Sequence, residues 1–350
     1  HDSNPLMRSH GVESVNGSVT SPKLKLDTVT DRDRLSLDAR VDRSFYDLKG
    51  FSSADYFSTA EIGRRGETWD ASFGVSLGYD TTRTSELEAS GVNIAGIRHT
   101  TLGFTPKLTL QLGPVDRLLL DPGVLRSFYA DKRRYTNYDV YSANPTVEHD
   151  VDESNTALLV VQTSRFRTTT GPATEIDSVG PMVGWRTALT PALTLQALGG
   201  LRRTMPSYAP ETRNVEKDTW SYGYAVDLTY RGLQDQVRLS AKRTPNPFAT
   251  GTQAESTSFG LTYTHAMTRQ LDLGLGLSYL RSTSSSGGRT SDTTSVSLNP
   301  SLTYHATETL DARLDLRYRE RMVTLGDGHA HGNAIVASIV YRPQSFTLNW

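Results

Sequence analysis

The chain has no cysteine in its 350 residues. That excludes thiolate metal sites, c-type haem attachment and disulfide frameworks. It suits an oxidising periplasm, where stray thiols are a hazard. No apolar run approaches the roughly 18 residues that a membrane helix needs. Hydrophobic residues make up only 36%, and the mean hydropathy is −0.44, so a large buried core would be poorly supplied. Neither sign of charge dominates: 37 Lys and Arg stand against 38 Asp and Glu. That balance gives no case for a nucleic-acid partner. No GxSxG, HExxH or Walker loop occurs, so neither an enzyme nor a bound cofactor is expected. The chain opens on His1 without an initiator Met, and a removed signal peptide is the expectation.

What the chain does have is a period of two. Successive residues of a strand point to opposite faces, so alternation marks a half-apolar strand. Leu271, Leu273, Leu275, Leu277 and Tyr279 share one face, with Asp272, Gly274, Gly276 and Ser278 on the other. Trp69, Phe73, Val75, Leu77 and Tyr79 alternate with Asp70, Ser72, Gly74, Ser76 and Gly78. Leu310, Ala312, Leu314, Leu316 and Tyr318 alternate with Asp311, Arg313, Asp315, Arg317 and Arg319. The stretches around 55–64, 115–130 and 154–168 alternate less cleanly.

Connections alternate too. Short ones fall near Thr28–Asp33, Arg65–Gly66, Gly113–Asp116, 149–153, Thr190–Ala192, Gly232–Gln234, Thr268–Gln270, Thr307–Thr309 and Pro343–Ser345. Between them lie longer polar stretches: 47–54, 81–96, 131–136, 169–175, 206–217, 245–254, 282–291 and 323–332. Transmembrane barrels have short periplasmic turns and long extracellular loops, a lipid-facing apolar band, a polar lumen and aromatic girdles. Tyr79, Tyr230, Tyr263, Tyr279, Tyr304, Tyr318 and Tyr341 sit near ends of apolar faces, as do Trp69, Trp185, Trp220 and Trp350. The fold expected is all-β: an up-and-down antiparallel transmembrane barrel of about eighteen strands in a bacterial outer membrane. It spans 18–350, after an N-terminal segment over 1–17 expected to be periplasmic. The even count implies two periplasmic ends, and Phe346, Leu348 and Trp350 mark a closing strand.

The inward faces carry many charges. They are Asp38, Arg40, Asp42, Lys107, Arg186, Arg202, Asp227, Arg231, Arg238, Lys242, Asp311, Arg313, Asp315, Arg317, Arg319 and Arg321. An arginine facing lipid at the midplane costs roughly 2–4 kcal/mol, which favours the lumen. Arg313, Arg317, Arg319 and Arg321 share one wall. Rings of Arg and Lys favour anions in a pore. Alternating Arg and Asp equally suit cross-strand bracing, and both readings stand. His329 and His331 form a local pair in a Gly-rich stretch, more a polar loop tip than a metal site.

The opening His1-Asp2-Ser3-Asn4-Pro5-Leu6, a polar gap and a first strand near Val19–Asp27 resemble the start of one group of Gram-negative barrels. These are the exosortase-system-associated and EpsL-like barrels of exopolysaccharide clusters, in which an aromatic usually stands where this chain has His1. The resemblance implies an outer-membrane conduit for exopolysaccharide, with polysaccharide export machinery as partner alongside the bilayer and its lipopolysaccharide. The alternatives are a general or anion-preferring diffusion porin, a sheath around a periplasmic electron carrier, and a barrel that carries adhesin loops.

Overall fold

The computed structural model describes residues 1–48, 50–83, 85–86, 96–171, 173–208, 218–248, 250–286, 289–324 and 328–343. The first pass across the wall is β1 (Gly17–Thr20) with β2 (Lys23–Val29). It is followed by β3 (Asp33–Tyr46), β4 (Ser53–Arg65), β5 (Trp69–Thr81) and β6 (Arg98–Gln111). One pass is split into β7 (Asp116–Leu120) and β8 (Gly123–Tyr129). The next is split into β9 (Tyr138–Ala143) and β10 (Thr146–Asp150). Unbroken passes follow: β11 (Asn155–Thr168), β12 (Thr174–Thr190), β13 (Leu193–Tyr208), β14 (Thr219–Arg231) and β15 (Asp235–Pro247). The last five are β16 (Gln253–Ala266), β17 (Leu271–Ser286), β18 (Arg289–His305), β19 (Leu310–Val323) and β20 (His329–Tyr341).

All twenty strands belong to one antiparallel sheet in which each pass pairs with the next. Three passes are halved, so the twenty strands make seventeen passes among the described residues. The eighteenth expected strand, Phe346–Trp350, lies outside them. Each halving falls at a proline: Pro22, Pro122 and Pro145. Proline has no N–H to give the ladder and restricts the residue before it. That is why the alternation blurred over 115–130. The carbonyls are still used, since Val41 N donates to Pro22 O (3.1 Å) and Val161 N to Pro145 O (3.0 Å).

The outer surface follows the alternation. Leu35, Ile62, Phe73, Val75, Leu77, Leu102, Leu298, Leu302, Leu314, Leu316, Ile335 and Ile339 are all exposed. In a soluble protein such a surface would aggregate; facing acyl chains it is solvated. Exposed aromatics bound it at both rims. Trp69, Trp185, Tyr230, Tyr304 and Tyr341 lie toward the short turns, and Tyr56, Tyr79, Trp220, Tyr222 and Tyr318 toward the long loops.

Two expectations need correction. The long loop expected over 282–291 is mostly strand, because pairing continues to Ser286↔Arg289. The N-terminal segment is not at the short-turn rim. Gly17 lies opposite Tyr46, where β3 meets the 47–52 connection, and the first tight connection comes only after Val29. An even number of passes says only that both ends share a rim. The first connection decides which rim, and here it is short. Residues 1–16 therefore lie at the long-loop rim. Asp2 bridges Ala334 of β20 on one side and Val15 on the other. Val15 leads into β1, which pairs with β3, so this segment links β20 to the first pass.

Candidate functional site: a hydroxyl-lined lumenal wall

Directly opposed residues in an antiparallel ladder share a face. The registers of β15 through β19 therefore define rows across the lumenal wall. One row is Lys242, Ser258, Leu280, Ser295 and Arg321. The next is Ser240, Gly260, Ser278, Ser297 and Arg319. Below it run Arg238, Thr262, Gly276 and Asn299, then Gln236, Thr264, Gly274, Ser301 and Asp315. Asn299 has no ladder partner on β19, because pairing skips from Leu298↔Tyr318 to Ser301↔Asp315 at Pro300. Arg317 occupies that level. Between the cations of β15 and those of β19 the wall is almost wholly hydroxyl, amide and glycine. Four interstrand steps of about 4.8 Å put its edges roughly 19 Å apart.

A cavity of about 520 Å³ opens on this wall, between Asp2, Pro5 and Met7 on one side and Ser278, Ser295, Asn299, Arg317 and Arg319 on the other. Arg319 is held by the Asp2 carboxylate and donates to Asn4 O at 3.5 Å. Asn4 Nδ2 donates to His331 O at 2.9 Å. Arg319 Nε, Ser295 Oγ and Asn299 Oδ1 are buried without a hydrogen-bond partner among the described residues. Buried polar groups are normally satisfied, so three such atoms near one cavity mark a place where a polar guest would be held.

The sequence-expected lumenal residues divide in two. Arg40 pairs with Asp42 at 3.0 Å and stacks on Phe57 at 4.8 Å. Arg186 grips Glu148 with two bonds of 3.0 and 2.9 Å. Arg202 grips Glu255 at 2.6 and 2.7 Å. Arg313 pairs with Asp315 at 2.6 Å. Asp311 takes His305 at 2.8 Å and also Arg342. These groups brace the wall. Lys107, Arg238, Lys242 and Arg317 have no ion-pair partner among the described residues, so their charge faces the lumen. Arg321 is buried. His329 and His331 begin β20 rather than cap a loop, and His329 Nε2 binds Glu320 at 2.6 Å.

Another part of the lumen, two strands away, differs in a way the sequence did not disclose. Leu158, Val160 and Phe166 of β11 and Ile176 and Met182 of β12 point inward and are buried. Tyr129, Tyr135, Tyr138, Phe166 and Ile176 form one cluster. Thr81–Arg83, Ser85 and Glu86 lie beside it at the mouth. Tyr129 Oη donates to Glu86 at 2.5 Å, and Arg83 donates to Phe51 O at 2.7 Å. His99 stacks on Tyr129 at 4.5 Å. Its Nδ1 lies 3.2 Å from Asp80 and its Nε2 2.7 Å from Ser127 Oγ. That is the bonding order of a hydrolytic triad. Ser127, however, has no exposed surface. The trio ties β5, β6 and β8 together.

No family model matches the chain, and no curated protein matches it either. Solved structures do match. The FrpB iron transporter from Neisseria meningitidis (F3-3 variant) aligns at 10% identity with a TM-score of 0.55, over 94% of this chain and 66% of that one. The ferric citrate transporter FecA in its unliganded form aligns at 10% identity with a TM-score of 0.52, over 94% and 63%. The chain thus spans about two thirds of their length. At such identity the likeness speaks to architecture: the chain has the fold of an integral outer-membrane β-barrel.

Proposed function

We propose that the chain is an outer-membrane transport barrel whose lumen passes an anionic, hydroxyl-rich solute, with a secreted exopolysaccharide as the leading cargo. The observation that carries this reading is the wall of β15–β19. Serine, threonine and asparagine side chains exchange hydrogen bonds with sugar hydroxyls at little net cost, because each such bond replaces one to water. The glycines keep the wall flat enough for a chain to slide. Arg238 and Lys242 at one edge and Arg317 at the other attract carboxylate or phosphate groups. The opening at His1–Leu6 points the same way through its resemblance to exopolysaccharide-cluster barrels. Export machinery in the periplasm would be the partner.

The sheath reading fares worse. It needs a wide, clear lumen, and Asp2, Pro5 and Met7 stand inside this one. An anion-preferring diffusion porin remains the competing reading, and one experiment separates the two. In a planar bilayer the open channel is expected to select anions. The triple variant Arg313→Ala, Arg317→Ala, Arg319→Ala is expected to reduce that preference several-fold. Acidic oligosaccharides, such as oligogalacturonates, are expected to produce resolved current blocks that neutral maltooligosaccharides do not. Selectivity without such blocks would leave a diffusion porin. Unchanged selectivity in the triple variant would remove the arginine wall from the mechanism altogether.

A further inference from the structure

The segment that crowds the polar wall is tied there by charge. Asp2 bridges Ala334, and Ser3 N donates to Asn333 O at 2.9 Å, so the segment runs along β20. Across β20, the Asp2 carboxylate holds Arg319 of β19. The two side chains are 20% and 15% exposed, so solvent and salt screen the pair little. Gly332 of β20 lies directly opposite Arg319. A Cβ there would meet Asn4 Cβ and O at 3.1 Å and Met7 Sδ at 3.3 Å, so this glycine is the bed on which the segment rests. Met7 is buried and adopts a φ of +48°, a left-handed conformation that residues with a side chain seldom take. The docked segment thus combines one strong tie with local strain.

The cavity between segment and wall has unmet needs of two kinds. Among the described residues, Arg319 Nε is a buried donor without an acceptor, and Asn299 Oδ1 is a buried acceptor without a donor. Asn299 gives its amide N–H to Ser297 Oγ at 3.0 Å, which leaves the carbonyl end for a guest. Ser295 Oγ, which can donate or accept, is a third such atom. Arg317 lines the same cavity and has no ion-pair partner among the described residues. A bare anion brings acceptors but no hydroxyl donor for Asn299. A neutral sugar brings hydroxyls but no counter-charge for Arg317. A sugar acid brings both. Ser295 and Asn299 stand four residues apart on β18, roughly 14 Å at about 3.4 Å per residue. That length, with a volume of about 520 Å³, suits two linked rings better than one.

We propose that this cavity is a receptor site for an acidic disaccharide unit and that Asp2 is its resident competitor. A ligand carboxylate takes Arg319 from Asp2, and residues 1–8 leave the wall. Ligand hydroxyls then satisfy Asn299 and Ser295. The path widens only for solutes that carry the group able to replace Asp2. The site belongs to the lumen read above as a path for an anionic, hydroxyl-rich solute, and its assignment rests on that reading.

The test uses the whole protein in detergent micelles and calorimetric titration. Digalacturonate is the probe, its dimethyl ester the uncharged control, and sulfate the anion without hydroxyls. Digalacturonate is expected to bind, and the ester and sulfate at least tenfold more weakly. Asn299→Ala is expected to weaken digalacturonate at least threefold. Asp2→Asn keeps the side chain's size, removes its charge and is expected to tighten binding at least fivefold. Gly332→Ala crowds the segment without touching any charge and is expected to tighten it about twofold. Folding is checked by heat-modifiable gel mobility. Because the chain has no cysteine, Met7→Cys reports the displacement. A water-soluble maleimide is expected to label it at least tenfold faster when digalacturonate saturates the site. Sulfate or ester binding as tightly as the acid would overturn the ligand class. Weaker binding in Asp2→Asn would make Asp2 a brace and overturn the competition, and slower labelling with ligand would overturn the displacement. Binding in micelles without current blocks in a bilayer keeps the site and removes the transport reading. Current blocks without binding in micelles remove the site and keep the transport reading.

Discussion

The two sides of the lumen are built on different principles. Across β15–β19 the inward residues are small, polar and flat, and cations stand at the edges. Across β11–β12 five inward residues, Leu158, Val160, Phe166, Ile176 and Met182, are large, apolar and buried, and aromatic rings from neighbouring strands and loops pack over Phe166 and Ile176. The first surface stays open to the lumen. The second is finished by the protein itself, as a core is. A barrel wall can thus be an open polar surface in one region and a folded core in another, with the same alternation in both.

The sharpest way to break this comparison is to remove a ring from the packed side. Phe166→Ala is expected to cost about 3–5 kcal/mol, the usual range for a buried phenylalanine, seen as a lower urea midpoint. Ser297→Ala on the polar side is expected to cost under about 0.5 kcal/mol, as surface changes do. Equal losses would mean that the polar wall is a core as well.

Next in size is the segment that crowds the polar side. Asp2→Ala frees Arg319 and is expected to raise both conductance and anion preference, by up to about twofold. That is opposite in sign to the triple arginine variant. A fall in anion preference would show that Asp2 holds the arginine in place rather than masking it.

A pH test sharpens where that segment is tied. Asn16 donates its side-chain and backbone N–H groups to Asp47, both at 3.0 Å, and these bonds hold the Asp47 carboxyl below its usual range. A depressed carboxyl contributes stability above its unfolded pKa and loses it as pH falls through the folded one. The protection of Val15–Gly17 amides, measured against their intrinsic exchange rates, should therefore stay constant down to about pH 4, the ordinary aspartate value, and fall only below it. Asp47→Ala should show low protection there at every pH. Protection lost already between pH 6 and 5 would assign the tie to another group. The smallest expected effect is at Ser127: a fluorophosphonate should leave it unlabelled in the folded barrel, and labelling would reopen the hydrolase reading.

Most of the fold was legible because one face of most strands is apolar and the other is not. Where both faces are apolar the period disappears. Leu158, Leu159, Val160 and Val161 are consecutive, and nothing in that string says that Leu158 and Val160 face inward. The arginines of β19 were legible as a wall, but their partners were not. Asp2 lies 317 residues from Arg319, and no local rule links them.

The link between β20 and the first pass has a kinetic side. Among the described residues, every other join in this sheet is between consecutive passes. The bridge from Asp2 to Ala334 closes a loop of more than three hundred residues. Contacts of such separation are slow to form. Closure should therefore be the last event in assembly, and until it happens the nascent sheet carries two open edges. An N-terminal tag that obstructs Asp2 would trap the chain at that stage, as an aggregation-prone ribbon rather than a ring.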